Sequence, residues 1–210
     1  MYDYNKIVED LLKWYDAHAR DLPWRREPKP YYVWVSEIML QQTRVEAVKG
    51  YFTRFIEALP NIEALANAPE EQLLKLWEGL GYYNRVRNLQ KAAITVMEEF
   101  HGELPADYKE LLTLKGIGTY TAGAIASIAY GIQVPAVDGN VLRVMKRLAG
   151  SYDDIMKASV KKEMEQTLSS VVPVRAGAFN QAIMDLGALV CIPNGMPVSY
   201  THLTLPTKLE

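Results

Sequence analysis

The chain has 210 residues, enough for one domain or two small lobes, and 49% of it is apolar, enough to build a real core. No apolar run reaches membrane-spanning length, the acidic, amphipathic start MYDYNKIVEDLLKWY is not a signal peptide, and one cysteine excludes an internal disulfide framework and fits a reducing cytoplasm. Net charge is only −2, so a global basic footprint of the kind nucleic-acid binders often carry is absent. Positive charge comes instead in local runs: Arg20, Arg25, Arg26 and Lys29; Arg85, Arg87 and Lys91; Arg143, Lys146 and Arg147. Any one run taken alone reads as a solvated face.

In chain order, Ile7, Leu11, Leu12 and Tyr15 share one face of a first helix. Asp21-Leu22-Pro23 and Glu27 to Pro30 read as loop, with prolines spaced to forbid a helix. Trp34 to Gln41 reads as a short helix, and Thr43 followed by Glu46 is a capping-box pattern opening the next, which Pro60 stops. Pro69-Glu70-Glu71 opens a helix carrying Leu73, Leu74 and Trp77. Gly79-Leu80-Gly81 is a break, and Val86, Leu89, Ala93, Val96 and Phe100 mark a long helix ended by Gly102. Tyr108 to Leu114 and Thr119 to Tyr130 are two helical runs joined through Gly116 and Gly118, a helix-hairpin-helix pattern. Gly139 to Leu148, Ser159 to Val171 and Ala176 to Val190 complete the set. No period-2 alternation is long enough for a sheet, so the expectation is an all-α protein of about ten short helices.

Two places in this pattern can carry chemistry. The hairpin glycines allow a sharp turn and close approach of a partner, and the helix that follows offers its N-terminal N–H groups to an anion such as a DNA phosphate, with Lys115 beside it. A plain αα-corner is the competing reading. Asp138, directly before the helix Gly139 to Leu148, is placed as an N-cap, a position that favours its anion. Glu37 stands among Val35, Ile38 and Met39, where dry surroundings raise a carboxyl pKa and let it serve as a general acid. A glutamate on the surface of an amphipathic helix is its plain alternative. His18, His101 and His202 form no metal spacing, and there is no P-loop, nucleophile elbow or zinc motif.

LPWR, SEIMLQQTRV, WEGLGYYNRVRNL, LKGIGTYTAGAI and VDGNV occur in this order between about Leu22 and Pro197. Together they resemble the helix-hairpin-helix DNA glycosylases, and within them the adenine DNA glycosylases of the MutY type. The resemblance implies two helical lobes with the active-site cleft between them. Residues 24–133 would form a six-helix barrel lobe holding the hairpin, and residues 1–23 with 134–197 a second lobe. It also implies roles. Removing a base resembles glycoside hydrolysis, in which a leaving group is protonated and a sugar cation develops. Glu37 would protonate adenine at N7, Asp138 would stabilise or briefly bond to the sugar cation, Asn140 would hold Glu37 and the base, and Tyr120 would hydrogen-bond near Asp138. Leu22, Trp24 and Arg25, with Arg20 close by and Gln181 as a polar wall, would line the pocket for the flipped adenine. Gln42 and Tyr82 would wedge into the duplex. Lys115, Gly116, Gly118, Arg85 and Arg143 would contact DNA from the same side as the cleft mouth.

The implied partner is double-stranded DNA with adenine opposite 8-oxoguanine or guanine, bound by a monomer in the cytoplasm. Two alternatives remain: an endonuclease III-like glycosylase-lyase, and a helix-hairpin-helix module that binds DNA without catalysis. Lyases of the first kind carry a lysine where Tyr120 stands, and tyrosine cannot form a Schiff base, which points to a monofunctional enzyme. The family also implies a [4Fe–4S] cluster on four cysteines spaced C-x6-C-x2-C-x5-C. Cys191 matches the first, while Val198, Thr201 and Thr207 occupy the other three positions, so no cluster is expected in this chain. The likeness ceases after Pro197, and VSYTHLTLPTKLE, residues 198–210, is expected to be a non-native tail on a truncated gene product.

Overall fold

A computed structural model describes residues 2–193. The expectations for the tail lie outside them. The described chain is all helical: a 3-10 turn over Tyr4–Ile7 leads into α1 (Val8–His18), followed by α2 (Pro23–Arg26), α3 (Pro30–Leu40) and α4 (Val45–Ala58). Next come α5 (Ile62–Asn67), α6 (Glu70–Leu76), α7 (Asn84–Glu99), α8 (Tyr108–Leu111) and α9 (Thr119–Tyr130). The last three are α10 (Gly139–Leu148), α11 (Ala158–Ser169) and α12 (Ala176–Leu189). Among the described residues no helix is long and apolar enough to cross a membrane.

Several boundaries differ from the sequence expectation, each for a local reason. Pro23 and Pro30 open helices instead of breaking them, because proline at the first helical position loses no hydrogen bond. Thr43 does not cap α4: its hydroxyl donates to Gln41 O at 3.3 Å, and Arg44 takes the N-cap position without a side-chain bond. The short α5 was not expected. Asn61 starts it by accepting from the Ala64 N–H at 2.8 Å. The first hairpin helix ends at Leu111, and the chain then turns through Gly116, whose φ of +82° favours glycine.

Two hydrophobic clusters form. One gathers Trp34, Phe55, Trp77, Leu89, Leu111 and Ile125; the other gathers Leu11, Val144, Met145, Leu168, Phe179 and Ile183. Helix α9 serves both, with Ile125 in the first and Ala124 in the second. Its sequence TYTAGAIASIAY is apolar all round, as a helix buried on every side must be. It packs against α3 on one side and α12 on the other. Gly123 admits the crossing segment: a Cβ there would meet Pro135 O at 2.2 Å. That close crossing carries the chain from α9 to Asp138 and α10.

Candidate active site

A cleft of about 750 Å³ opens where the two clusters meet, and its walls include Glu37, Tyr120, Asp138 and Asn140. Glu37 lies in α3 with 6% exposure. Burial pushes its carboxyl up to about 7; a hydrogen bond from Tyr120 opposes this, the Asp138 charge adds to it, and the Arg25 charge opposes it. Tyr120 Oη, on the first turn of α9, donates to Glu37 Oε2 at 2.7 Å. Burial, with the nearby Glu37 and Asp138 charges, holds the Tyr120 phenol well above its ordinary range, so it is a donor at any working pH.

Asp138 is the N-cap of α10. Its Oδ1 accepts from Val141 N at 2.8 Å and its Oδ2 from Asn140 Nδ2 at 2.7 Å. The two polar helpers therefore serve the opposite carboxyls from those expected. Tyr120 holds Glu37 because its helix packs on α3. Asn140 holds Asp138 because it lies two residues along the same cap.

Leu22, Trp24, Arg20, Arg25 and Gln181 also line the cleft. Trp24 is buried edge-on against Phe52, and Gln181 Nε2 donates to Gly177 O at 3.2 Å. Sequence reasoning missed Asp185 of α12, fully buried, which takes hydrogen bonds from both arginines. Its one signal was an acidic residue inside the otherwise apolar run IMDLGAL. It also missed Lys161, which lines the cleft, and the bond from Thr119 Oγ1 to Glu165 Oε1 at 2.7 Å that ties α9 to α11.

The remaining residues divide. Lys115, Gly116 and Gly118 are exposed at the hairpin, as a phosphate site requires. Gln42 and Tyr82 both take positive φ, 57° and 48°, and Tyr82 is 67% exposed, an unusual place for a large aromatic. Arg85 and Arg143 depart from the expected surface role. Arg85 Nη1 donates to Ile38 O (2.9 Å), Met39 O (3.2 Å) and Gln41 O (2.5 Å), and its Nη2 to Leu80 O (2.9 Å) and Gly81 O (3.2 Å). Arg143 donates to Cys191 O, Gly187 O and Asn140 Oδ1 at 2.7–2.9 Å. Helix-end and loop carbonyls hold both Nη groups of Arg85, while Arg143 Nη1 has only Gly139 O, at 3.5 Å on the exposed side, as its partner among the described residues.

Cys191 is buried, and its Sγ lies 3.2 Å from Arg147 Nη1. Among the described residues no group of three or more His, Cys, Asp or Glu could hold a metal. One thiolate with Val198, Thr201 and Thr207 is not the donor set of a [4Fe–4S] cluster, so the residues present do not fit that group.

A helical cleft with a buried glutamate facing an N-cap aspartate, beside an exposed glycine hairpin, defines a class. Residues 35–173 match the family described as "HhH-GPD superfamily base excision DNA repair protein", and the chain belongs to it. Over 193 residues it is 46% identical to the adenine DNA glycosylase of Homo sapiens, covering 87% of this chain and 35% of that protein. It is 41% identical over 188 residues to the adenine DNA glycosylase of Buchnera aphidicola subsp. Baizongia pistaciae, covering 89% of this chain and 53% of that one. Among solved structures it resembles a thermostable thymine-DNA glycosylase, with TM-score 0.81 and 26% identity over 91% of this chain and 89% of that one. The chain thus spans about a third to a half of the length of the curated relatives it matches.

Proposed function

We propose that this chain is the catalytic part of a monofunctional adenine DNA glycosylase that removes adenine opposite 8-oxoguanine or guanine in duplex DNA. The observation that carries this reading is the buried Glu37, held to about 7 and facing the same cleft as Asp138. Such a carboxyl still carries a proton near neutral pH, as a general acid must. Glu37 gives that proton to N7 of the flipped adenine. The N-glycosidic bond then breaks, its electron pair leaves with the base, and positive charge develops on the sugar. The Asp138 carboxylate stabilises that cation until water adds at C1′.

The relatives named adenine DNA glycosylase support the choice of base. Tyr120 supports hydrolysis without strand cleavage, since a phenol at position 120 cannot form an imine. Gln42 and Tyr82 fit a wedge that keeps the duplex open, and the hairpin at Lys115, Gly116 and Gly118 fits a phosphate grip.

The test is single-turnover base release from a duplex with one A:8-oxoguanine pair, developed with and without alkali. Strand breaks are expected only after alkali. Glu37→Gln and Asp138→Asn should each slow release by roughly 10²-fold or more while duplex binding persists. Equal loss of binding and release would favour a binding module, and efficient borohydride trapping would favour a lyase.

A further inference from the structure

The chemistry proposed above leaves the most deeply buried ion cluster of the cleft without a task. Asp185 is fully buried, yet both its oxygens are engaged. Arg20 donates from its backbone N–H at 3.3 Å and from Nε at 2.7 Å, while Arg25 donates from Nη1 at 2.7 Å and from Nη2 at 2.9 Å. Burying a carboxylate and two guanidiniums is expensive, and apolar residues of similar volume would join these segments at least as well. Both arginines also line the cleft that Glu37 lines.

We propose that Asp185 is a positioning residue for the general acid: it pins Arg20 and Arg25 into the cleft wall and balances their charge, so that Glu37 faces little net positive field and keeps its proton for the base. The inference rests on the reading of Glu37 as that acid. The charged and titratable groups that share the cleft with Glu37 are Tyr120 from α9, Asp138 from the start of α10, Arg25 from α2, Arg20 before it and Lys161 from α11, and of these Tyr120, Asp138 and Arg25 act on its carboxyl. Those facing Asp185 are Arg25, Arg20 and, from α1, Tyr15, whose ring lies 5.9 Å from the Arg25 guanidinium carbon. Arg25 thus bonds Asp185 and also acts on the Glu37 carboxyl. With Asp185 beside it, its pull on the Glu37 anion is partly cancelled. Alone it would draw the proton off Glu37 at lower pH.

The experiment reads Glu37 directly and uses no substrate. The protein is labelled with ¹³C-glutamate, and the carboxyl signal of Glu37 is assigned by its loss in Glu37→Gln. Its titration is then followed in three proteins. The wild-type midpoint is expected near 7. Asp185→Asn should lower it by about one pH unit or more, and Arg25→Gln should raise it. Opposite shifts are diagnostic, because simple loosening of the cleft admits water and lowers the midpoint in both variants. Shifts of the same sign, or no shift in either, overturn the proposal. Should Asp185→Asn fail to fold, the double variant with Arg25→Gln removes both charges together. A midpoint at or above wild type then supports the proposal, and one below it overturns it. If adenine release fails while the opposite shifts hold, the enzymatic reading falls and the charge balance stands.

Discussion

Glu37 makes the same demand on pH in the reaction and in the fold. In the reaction proposed for it Glu37 acts in its protonated form, so the rate should hold below about pH 7 and fall tenfold per unit above it, once the carboxyl ionises. Tyr120→Phe removes a hydrogen bond that favours the anion. The falling limb should therefore move to higher pH, which a rate–pH profile of the variant checks directly. Stability carries the same signature. The folded-state value, about 7, lies above the ordinary 4.5, so the native state binds more protons in between. The stabilisation associated with that proton is full below about pH 4.5 and lost as pH rises through about 7. The total is on the order of 3 kcal/mol. Denaturant unfolding of wild type and Glu37→Gln across this window should show the slope in the first and its loss in the second.

At the scale of elements, Arg85 joins the end of α3 to the loop before α7. Its guanidinium satisfies the last carbonyls of α3 and those of Leu80 and Gly81, and it lies 5.4 Å from the Trp77 ring and 5.7 Å from the Tyr82 ring. Both positive-φ wedge candidates, Gln42 and Tyr82, adjoin carbonyls that it holds. Arg85→Ala should cost roughly 2–4 kcal/mol in chemical denaturation, since several buried carbonyls lose a charged donor. Lys cannot form the two-sided fork, so Arg85→Lys should recover only part of it. The hairpin makes a smaller, local prediction. Gly116→Ala combines a φ of +82° with a Cβ 3.1 Å from Asn88 Cβ. It should cost about 1 kcal/mol and weaken duplex binding more than folding, with fluorescence anisotropy as the readout.

For the whole molecule, charge placement matters more than net charge. Arg85 and most of Arg143 are engaged by carbonyls, and the net charge is −2, so two of the cations expected to meet phosphates are largely occupied within the fold. Duplex binding should therefore show a shallow salt dependence, a slope of log K against log salt of about −3 or less steep. A slope near −8, measured by titration at several salt concentrations, would mean a much larger basic footprint than the fold presents. Bonds between segments far apart in sequence tie the helices around the cleft to one another. Thr119 to Glu165 ties α9 to α11, and Asp185 of α12 ties to Arg20 and Arg25.

Helix periodicity, the glycine hairpin, the Asp138 cap and the dry setting of Glu37 were all legible along the chain, because each depends on neighbours within a few residues. The ends of α9 and α10 follow from such local signals: Gly131 closes the first with φ +69°, and Asp138 opens the second. Residues far apart in sequence escaped, because pairing partners are chosen by packing. Tyr120 and Glu37 stand 83 positions apart, and Arg20 and Asp185 stand 165 apart. Nothing local distinguishes an arginine facing solvent from one such as Arg85 or Arg143 that closes on carbonyls. The sequence by itself determined which residues could carry acid, anion and turn. Only the tertiary structure decided which carboxyl Tyr120 serves and which charges are neutralised, since the packing of helices far apart in sequence sets those distances.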